Sequence, residues 1–429
     1  MKLFQVEAST LNGHITVPTS KSHTMRAILF ASLAKGQSRV ESYLRSPDAQ
    51  AMISACRKFG ANIQQKDDFL LIDGVAGKLM VPDDVINAGN SGQVLRFIGA
   101  VAGLIDRYTV ITGDPSIRHN RPAAQLLSGL RQLGAMAESS RGDDFAPLII
   151  RGPIKAGRVE IEGVDSQPVT GLLIAASLLE GTTSVTVKNP GERPWIDVTL
   201  GWFDRLGVKY SNNDYRRYQI TGKSYYEAFQ YTVPGDFSSI AFPIVAALIT
   251  GSEITVGPVD MSDTQGDKKL FPVLETMGAE FEYDEKKLSL KVKPCHGLTG
   301  REININDFID ALPILAVIGC FAAGETHITG AKIARMKECD RIHAICAELQ
   351  KMEANIEEHD DGLVVRQSKL QGAWVESYRD HRIAMALSVA AMIAEGRTSI
   401  NDIDCVDKSF PGFMDTMVEA GMLIRVEHT

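Results

Sequence analysis

Apolar residues in this chain fall into two alternating kinds of run. One is a helical apolar segment that ends in glycine and passes into an alternating strand. It occurs as CRKFGANI ending at Ile63, LRQLGAMA at Ala137, FDRLGVKY at Tyr210 and LETMGAEFEY at Tyr283. LQKMEANIEE, ending at Glu358, carries Glu353 in the glycine place, and MVEAGMLIRV ends at Val426. The other kind reads strand, short polar junction, apolar helix, Gly, strand. Its copies are GHITVPTSKSHTMRAILFASLAKGQSRV, NAGNSGQVLRFIGAVAGLIDRYTV, VEIEGVDSQPVTGLLIAASLLEGTTSVTV, YTVPGDFSSIAFPIVAALITGSEITV, ININDFIDALPILAVIGCFAAGETHI and VESYRDHRIAMALSVAAMIAEGRTSI. The pattern recurs about every 70 residues, which makes it an internal repeat. Six β-α-β-α-β type units are expected, an α/β (α+β) chain. Units this large and this few do not make a solenoid, so two domains of three units each are expected. Helices apolar on every side are predicted to be buried on every side.

The junctions hold the candidate chemistry: Lys21-Ser22, Asn90-Ser91-Gly92, Asp165-Ser166-Gln167, Asp236-Phe237-Ser238, Asp307 to Asp310, and Asp380-His381-Arg382. Each stands at or near a helix N-terminus, where free N–H groups and a partial positive charge suit an anion. Asp236 and Ser238 are explained as N-caps. Lys21, Arg26 and Arg382 are not, because a cation in the first turn opposes the helix dipole. A bound anion would offset that cost. GDPSIRHNRP is a basic loop in which Pro122 favours an extended Arg121. MKECDR is expected to set Lys337 and Arg341 on one side with Glu338 between them.

Composition narrows the class. Hydrophobic residues are 44% and charged residues 23%, an ordinary globular balance. The longest apolar run, Leu312 to Ala323, is shorter than a membrane span. MKLFQVEAST lacks the apolar core of a signal peptide, so a cytoplasmic protein is expected. The six cysteines form no CxxC pair and are expected to be reduced. Net charge is −8, which disfavours a nucleic-acid surface. No Walker, Rossmann, HExxH or zinc spacing occurs, so no cofactor and no metal are expected.

Several motifs taken in order, VPTSKSHTMRA, GNSGQVLRF, NRP, DSQPVTGLL, ERPWIDVTL, VPGDFSS, TQGDKK, IDALPILA, MKECDR, YRDHRIAMA and DKSFPGF, resemble the enolpyruvyl transferases through almost the whole chain. The resemblance implies two domains of three units each, helices buried and sheets outside. One domain would be the discontinuous 1-20 plus 236-429 and the other 21-235, with the active site in the cleft between them. It implies transfer of the enolpyruvyl group of phosphoenolpyruvate to the 5-hydroxyl of shikimate 3-phosphate, with release of phosphate, by a monomer. It also implies inhibition by glyphosate at the donor site.

The resemblance places the phosphoenolpyruvate contacts on Lys21, Asn90, Gly92, Arg121, Gln167, Arg341, Arg382 and Lys408. It places acid–base work on Asp310 and Glu338, with Lys21 and His381 nearby, and leaves open which carboxylate serves which step. The acceptor would meet Lys21, Ser22, Arg26, Asp165, Ser166, Gln167, Glu192, Trp195, Asp310, Ile333 and Lys337. Here Asp165 and Glu192 stand for serines of the family pattern, Trp195 for a tyrosine and Ile333 for a polar residue. Gln93 replaces a threonine and Cys339 a threonine or serine. Asp165 and Glu192 would repel an acceptor phosphate unless they pair with Arg193 or Lys337, turn away, or act as a helix cap. Two other readings stay open. One is an enolpyruvyl transferase with a different, unphosphorylated alcohol acceptor; the other is a non-catalytic anion-binding scaffold. The relative that acts on UDP-N-acetylglucosamine uses a loop cysteine, and none lies between Cys56 and Cys295.

Overall fold

The structure is a computed structural model and describes residues 2–223, 225–295 and 297–428. The chain divides into two compact units: Met1–Pro18 with Pro234–Thr429, and Thr19–Val233.

Each unit contains three small sheets built to one plan. Two neighbouring strands run parallel, and the second pairs antiparallel with one of a further antiparallel pair, which is a hairpin in all but the sheet that holds the first strand. In one sheet, Arg158–Glu162 runs parallel to Thr182–Lys188, which pairs with Arg217–Thr221, which in turn pairs with Lys209–Asn213. The strands alternate buried and exposed residues, as Val159 and Ile161 do between Arg158, Glu160 and Glu162. Period-two alternation of this kind marks a sheet with one dry face.

The buried faces meet helices that are themselves buried on nearly every side. In the 19–233 unit these are Lys21–Leu33, the run 94–102 that opens as a π-helix, and Ser166–Ala176. In the other unit they are Phe237–Thr250, Leu312–Phe321 and His381–Ala391. All eleven residues of His381–Ala391 are buried, charged ones included. The amphipathic helices, such as Pro47–Lys58 and Arg341–Lys351, bury one side only.

Two copies differ from the linear reading. Strand Gly13–Thr16 opens the first copy in sequence, yet it pairs with Ile254–Gly257 of the fourth. Gln230–Thr232, which opens the fourth copy, pairs with Ala34–Glu41 of the first. The two copies thus exchange their opening strands. The exchange crosses about 190 residues in one direction and about 240 in the other, beyond the reach of any local pattern. The first strand, Lys2–Glu7, lies between Thr398–Asn401 and Leu423–His428 and completes the last sheet.

Candidate active site

In the 19–233 unit, three helix starts carry the polar residues. Ser20 caps Lys21–Leu33 by accepting from the His23 amide, which puts Lys21 at the first helical position. Lys21 Nζ lies 3.8 Å from Asp48 Oδ2. Ser22 Oγ accepts from Gln93 Nε2 at 3.3 Å. Asn90 Nδ2 donates to Asp114 Oδ2 at 2.6 Å. Gly92 is the point where the groups converge. A Cβ there would stand 2.6 Å from Arg121 Nη1, 2.9 Å from Arg96 Nη1 and 2.9 Å from Gln167 Oε1. Any side chain at position 92 would displace two guanidinium groups. Arg121 is 5% exposed. Gln167 Oε1 is buried with no hydrogen-bond partner.

Arg26 departs from the sequence reading. It is the sixth residue of its helix, not part of the first turn. Its Nε donates to Thr199 Oγ1 at 2.9 Å, Nη1 to the Ser22 carbonyl at 3.1 Å and Nη2 to the Trp195 carbonyl at 3.0 Å. The group also lies over the Phe97 ring. Burial lowers its ionisation to about 9, so it remains a cation at neutral pH. Arg26 braces the helix carrying Lys21 and Ser22 against the one carrying Trp195. Trp195 itself is half-buried and serves Arg26 through its backbone.

The two carboxylates that replace serines are both engaged within the unit. Asp165 caps Ser166–Ala176 by accepting from the Gln167 amide at 2.9 Å. Its Oδ2 lies 3.3 Å from Arg96 Nη2. Arg193 is not its partner; Nη1 of that residue lies 3.7 Å from Asp214. Glu192 is 1% exposed, and its Oε2 accepts from the Ser166 amide at 3.1 Å and from Ser166 Oγ at 3.2 Å. Glu192 adopts a left-handed backbone, φ 46° and ψ 41°, a conformation rare for a residue with a side chain.

The other unit contains a continuous ion network. Arg341 is 1% exposed and holds three carboxylates: Nη1 to Asp310 Oδ1, Nη2 to Glu338 Oε2 and Nε to Asp380 Oδ2, each at 2.7 Å. Burial alone would depress its ionisation, but the charges of Asp380, Glu338 and Asp310 more than reverse this and hold it well above the usual value. Lys408 Nζ donates to Glu338 Oε1 at 2.6 Å. Arg382 Nη2 donates to Asp310 Oδ2 at 2.7 Å and to Ser238 Oγ at 2.9 Å. Asp380 also caps His381–Ala391 by accepting from the Arg382 amide at 2.8 Å. A carboxylate therefore accompanies the cation that opposes this helix dipole. His381, at the first helical position, is fully buried, 3.7 Å from Asp380 Oδ1.

MKECDR is not a helix. Lys337 follows a short 3-10 turn, and the helix begins only at Arg341, capped by Asp340. Glu338 meets Arg341 across that cap. Ile333 is 3% exposed and packs in the interior, where it has no polar group to offer. Burial, with the charge of Asp380, pushes the Cys339 thiol far up, and Cys405 is pushed up to about 12. Neither is a ready nucleophile. Among the described residues, no group of His, Cys, Asp or Glu gathers as metal ligands would.

Sequence reasoning missed Arg96, Asp48 and the role of Asp380, and it read Ser238 as a cap, whereas Asp236 alone caps that helix and Ser238 accepts from Arg382. Arg96 had a visible signal: it is the one charge inside the apolar run VLRFIGAVAG. A charge in a buried helix needs a partner or a ligand.

Residues 6–417 match the family model described as EPSP synthase (3-phosphoshikimate 1-carboxyvinyltransferase). The chain is 45% identical to a 3-phosphoshikimate 1-carboxyvinyltransferase from Acetivibrio thermocellus, over 98% of each chain. It is 43% identical to the enzyme of that name from Chlamydia caviae, over 97% of this chain and 93% of the relative. A solved EPSP synthase from Acinetobacter baumannii superposes with a TM-score of 0.83 at 28% identity and covers both chains fully.

Proposed function

The chain belongs to the EPSP synthase family, and we propose that its reaction runs on the two side-chain clusters described above. That reaction transfers the enolpyruvyl group of phosphoenolpyruvate to the 5-hydroxyl of shikimate 3-phosphate and releases phosphate, a step of the shikimate pathway. The observation that carries the assignment is the network in which Arg341 and Arg382 share Asp310 while Lys408 holds Glu338. It sets two carboxylates among three cations, the setting that acid–base chemistry on a polyanion requires.

Lys21, Arg121 and Gln167, with Arg341, Arg382 and Lys408, take the phosphate and carboxylate of phosphoenolpyruvate. A side chain at Gly92 would push Arg121 and Gln167 aside, so the glycine keeps both where they can meet this anion. Asp310 accepts the proton of the acceptor hydroxyl as its oxygen bonds to C2. Glu338 passes to the methylene carbon a proton drawn from the Lys408 ammonium that donates to it. In the second half the C2–O bond to phosphate breaks, phosphate leaves with the proton held by Asp310, and the new methyl group returns its proton to the Glu338–Lys408 pair. Arg341 and Arg382 both donate to Asp310, and the base role is assigned to it on that pairing.

Asp165 and Glu192 are compatible with a phosphorylated acceptor because each is already bound within its own unit, to Arg96 and to Ser166. The deciding assay measures phosphate release from phosphoenolpyruvate with shikimate 3-phosphate and, separately, with shikimate. Release only with the phosphorylated acceptor is expected. Release only with shikimate would move the assignment to a different alcohol. The same reading takes the protein to be a cytoplasmic monomer; among the described residues no helix is long and apolar enough to cross a membrane. Sedimentation would test the monomer.

A further inference from the structure

The motif TQGDKK has no part in the chemistry above. It enters the short 3-10 turn Gly266–Lys269, where Asp267 is 2% exposed. Neither carboxyl oxygen of Asp267 has a hydrogen-bond partner. The charged groups that face it are Asp310, Arg382 and Asp236. The lysines of its own turn are engaged elsewhere: Lys268 with the carbonyls of Met261 and Asp263, Lys269 with Asp307. The helix Phe237–Thr250, which packs on the turn, brings Asp236 at its cap. The helix Leu270–Met277 adds only Glu275, which is exposed. Arg382 contributes one further fact. Its Nη2 serves Asp310 and Ser238, while its Nε is buried without a hydrogen-bond partner.

We infer that Asp267 is a positioning residue for the reaction: it keeps its proton in the resting protein and so leaves the Arg382 guanidinium to Asp310. An ionised Asp267 would have one attractive partner close by, the open Nε–H of Arg382. Taking it would turn the guanidinium out of its present fork and loosen Asp310. A neutral carboxyl does not compete. The charge count around it agrees. Asp310, Glu338 and Asp380 already engage Arg341, Arg382 and Lys408, and the capping Asp236 adds a further negative charge, so a fifth buried carboxylate would find only the Arg382 Nε–H open to it. Burial, and then the charge of Asp310, hold the Asp267 proton well above the usual carboxylate range, and Arg382 does not reverse this. The inference rests on the reading of Asp310 as the base, because that is the group it protects.

Two measurements on the full chain test it. The first is the infrared difference spectrum between wild type and Asp267→Asn at neutral pH without substrate. A protonated-carboxyl band present only in wild type is expected, disappearing as pH rises. No such band would overturn the inference. The second is the pH profile of kcat. Asp267→Asn mimics the neutral acid, so near neutrality it should turn over within about threefold of wild type. Wild-type activity should fall as Asp267 loses its proton, and the variant should lack that fall. Superimposable profiles would overturn the positioning role. Should Asp267→Asn fail to fold, Asp310→Asn supplies the reading instead. Removing the Asp310 charge should move the disappearance of the wild-type band to lower pH, and an unmoved band would refute the coupling. The infrared readings need no turnover. An Asp310→Asn enzyme that stays active would therefore overturn the catalytic assignment while leaving the Asp267 proton established.

Discussion

At Arg121 the guanidinium is buried against Gly92 with two other polar groups converging on the same point. Arg121→Ala should lower kcat/KM for phosphoenolpyruvate by at least about a hundredfold, as loss of a charged two-pronged contact does. Circular dichroism should stay unchanged. Arg121→Lys should recover only part of the loss, since a point charge replaces a planar fork; full recovery would refute bidentate binding. Asp165 behaves oppositely. Its carboxylate is already committed to Arg96 and to the Gln167 amide. Asp165→Ser keeps the cap, so KM for shikimate 3-phosphate should change by less than about tenfold, roughly 1.4 kcal/mol. At this scale the sequence displays the residues that meet a ligand, because cations at helix starts have no structural excuse. It hides their counter-ions. Asp48 gives no signal in the sequence, and Asp165 reads as an acceptor-site charge, until Lys21 and Arg96 are found beside them.

At the scale of the element, the repeated plan depends on glycines where a strand passes a carbonyl at close quarters. A Cβ on Gly222 would stand 1.8 Å from the Leu179 carbonyl, and one on Gly362 1.8 Å from that of Ile328. Backbone cannot yield as a flexible side chain would. Gly222→Ala should therefore destabilise the protein by several kcal/mol, in the range of other severe backbone clashes. Gly134→Ala is a useful contrast: it meets nothing within 4 Å, and only its φ of +101° opposes the side chain. Equal melting temperatures for the two variants would show that the close approach is not what requires glycine. The helices and strands themselves were legible, since each copy repeats the same change from helical to alternating pattern. The exchange of opening strands was not. Gly13–Thr16 leads without a break into the helix at Lys21, and nothing local says that its partner is Ile254–Gly257. MKECDR misled for a related reason. Its charges suit a helix surface, but Asp340 captures the His343 amide and starts the helix late.

For the whole molecule, the buried charges of the 1–18 and 234–429 unit make stability depend on pH in a direction that Asp267 sets apart. Most buried carboxylates here are paired, and paired carboxylates add stability as pH rises past the ordinary range. Asp267 has no such partner, and its folded ionisation is raised. Between about pH 4, where an unfolded Asp loses its proton, and the folded ionisation point, the native state binds more protons than the unfolded state. Stability from this group is therefore complete below about pH 4 and is lost as pH rises through that window, by about 1.4 kcal/mol for each unit by which the ionisation is raised. Asp267→Asn has no proton to exchange. The difference in urea midpoint between variant and wild type should thus be flat at acid pH and then move steadily in favour of the variant toward neutrality. Other titrating groups cancel in that difference if they are unchanged by the substitution. A difference that stays constant across the range would mean that Asp267 ionises as it does in the unfolded chain. The buried cluster would then carry its fifth negative charge at neutral pH, and Arg382 would have to divide itself between two carboxylates.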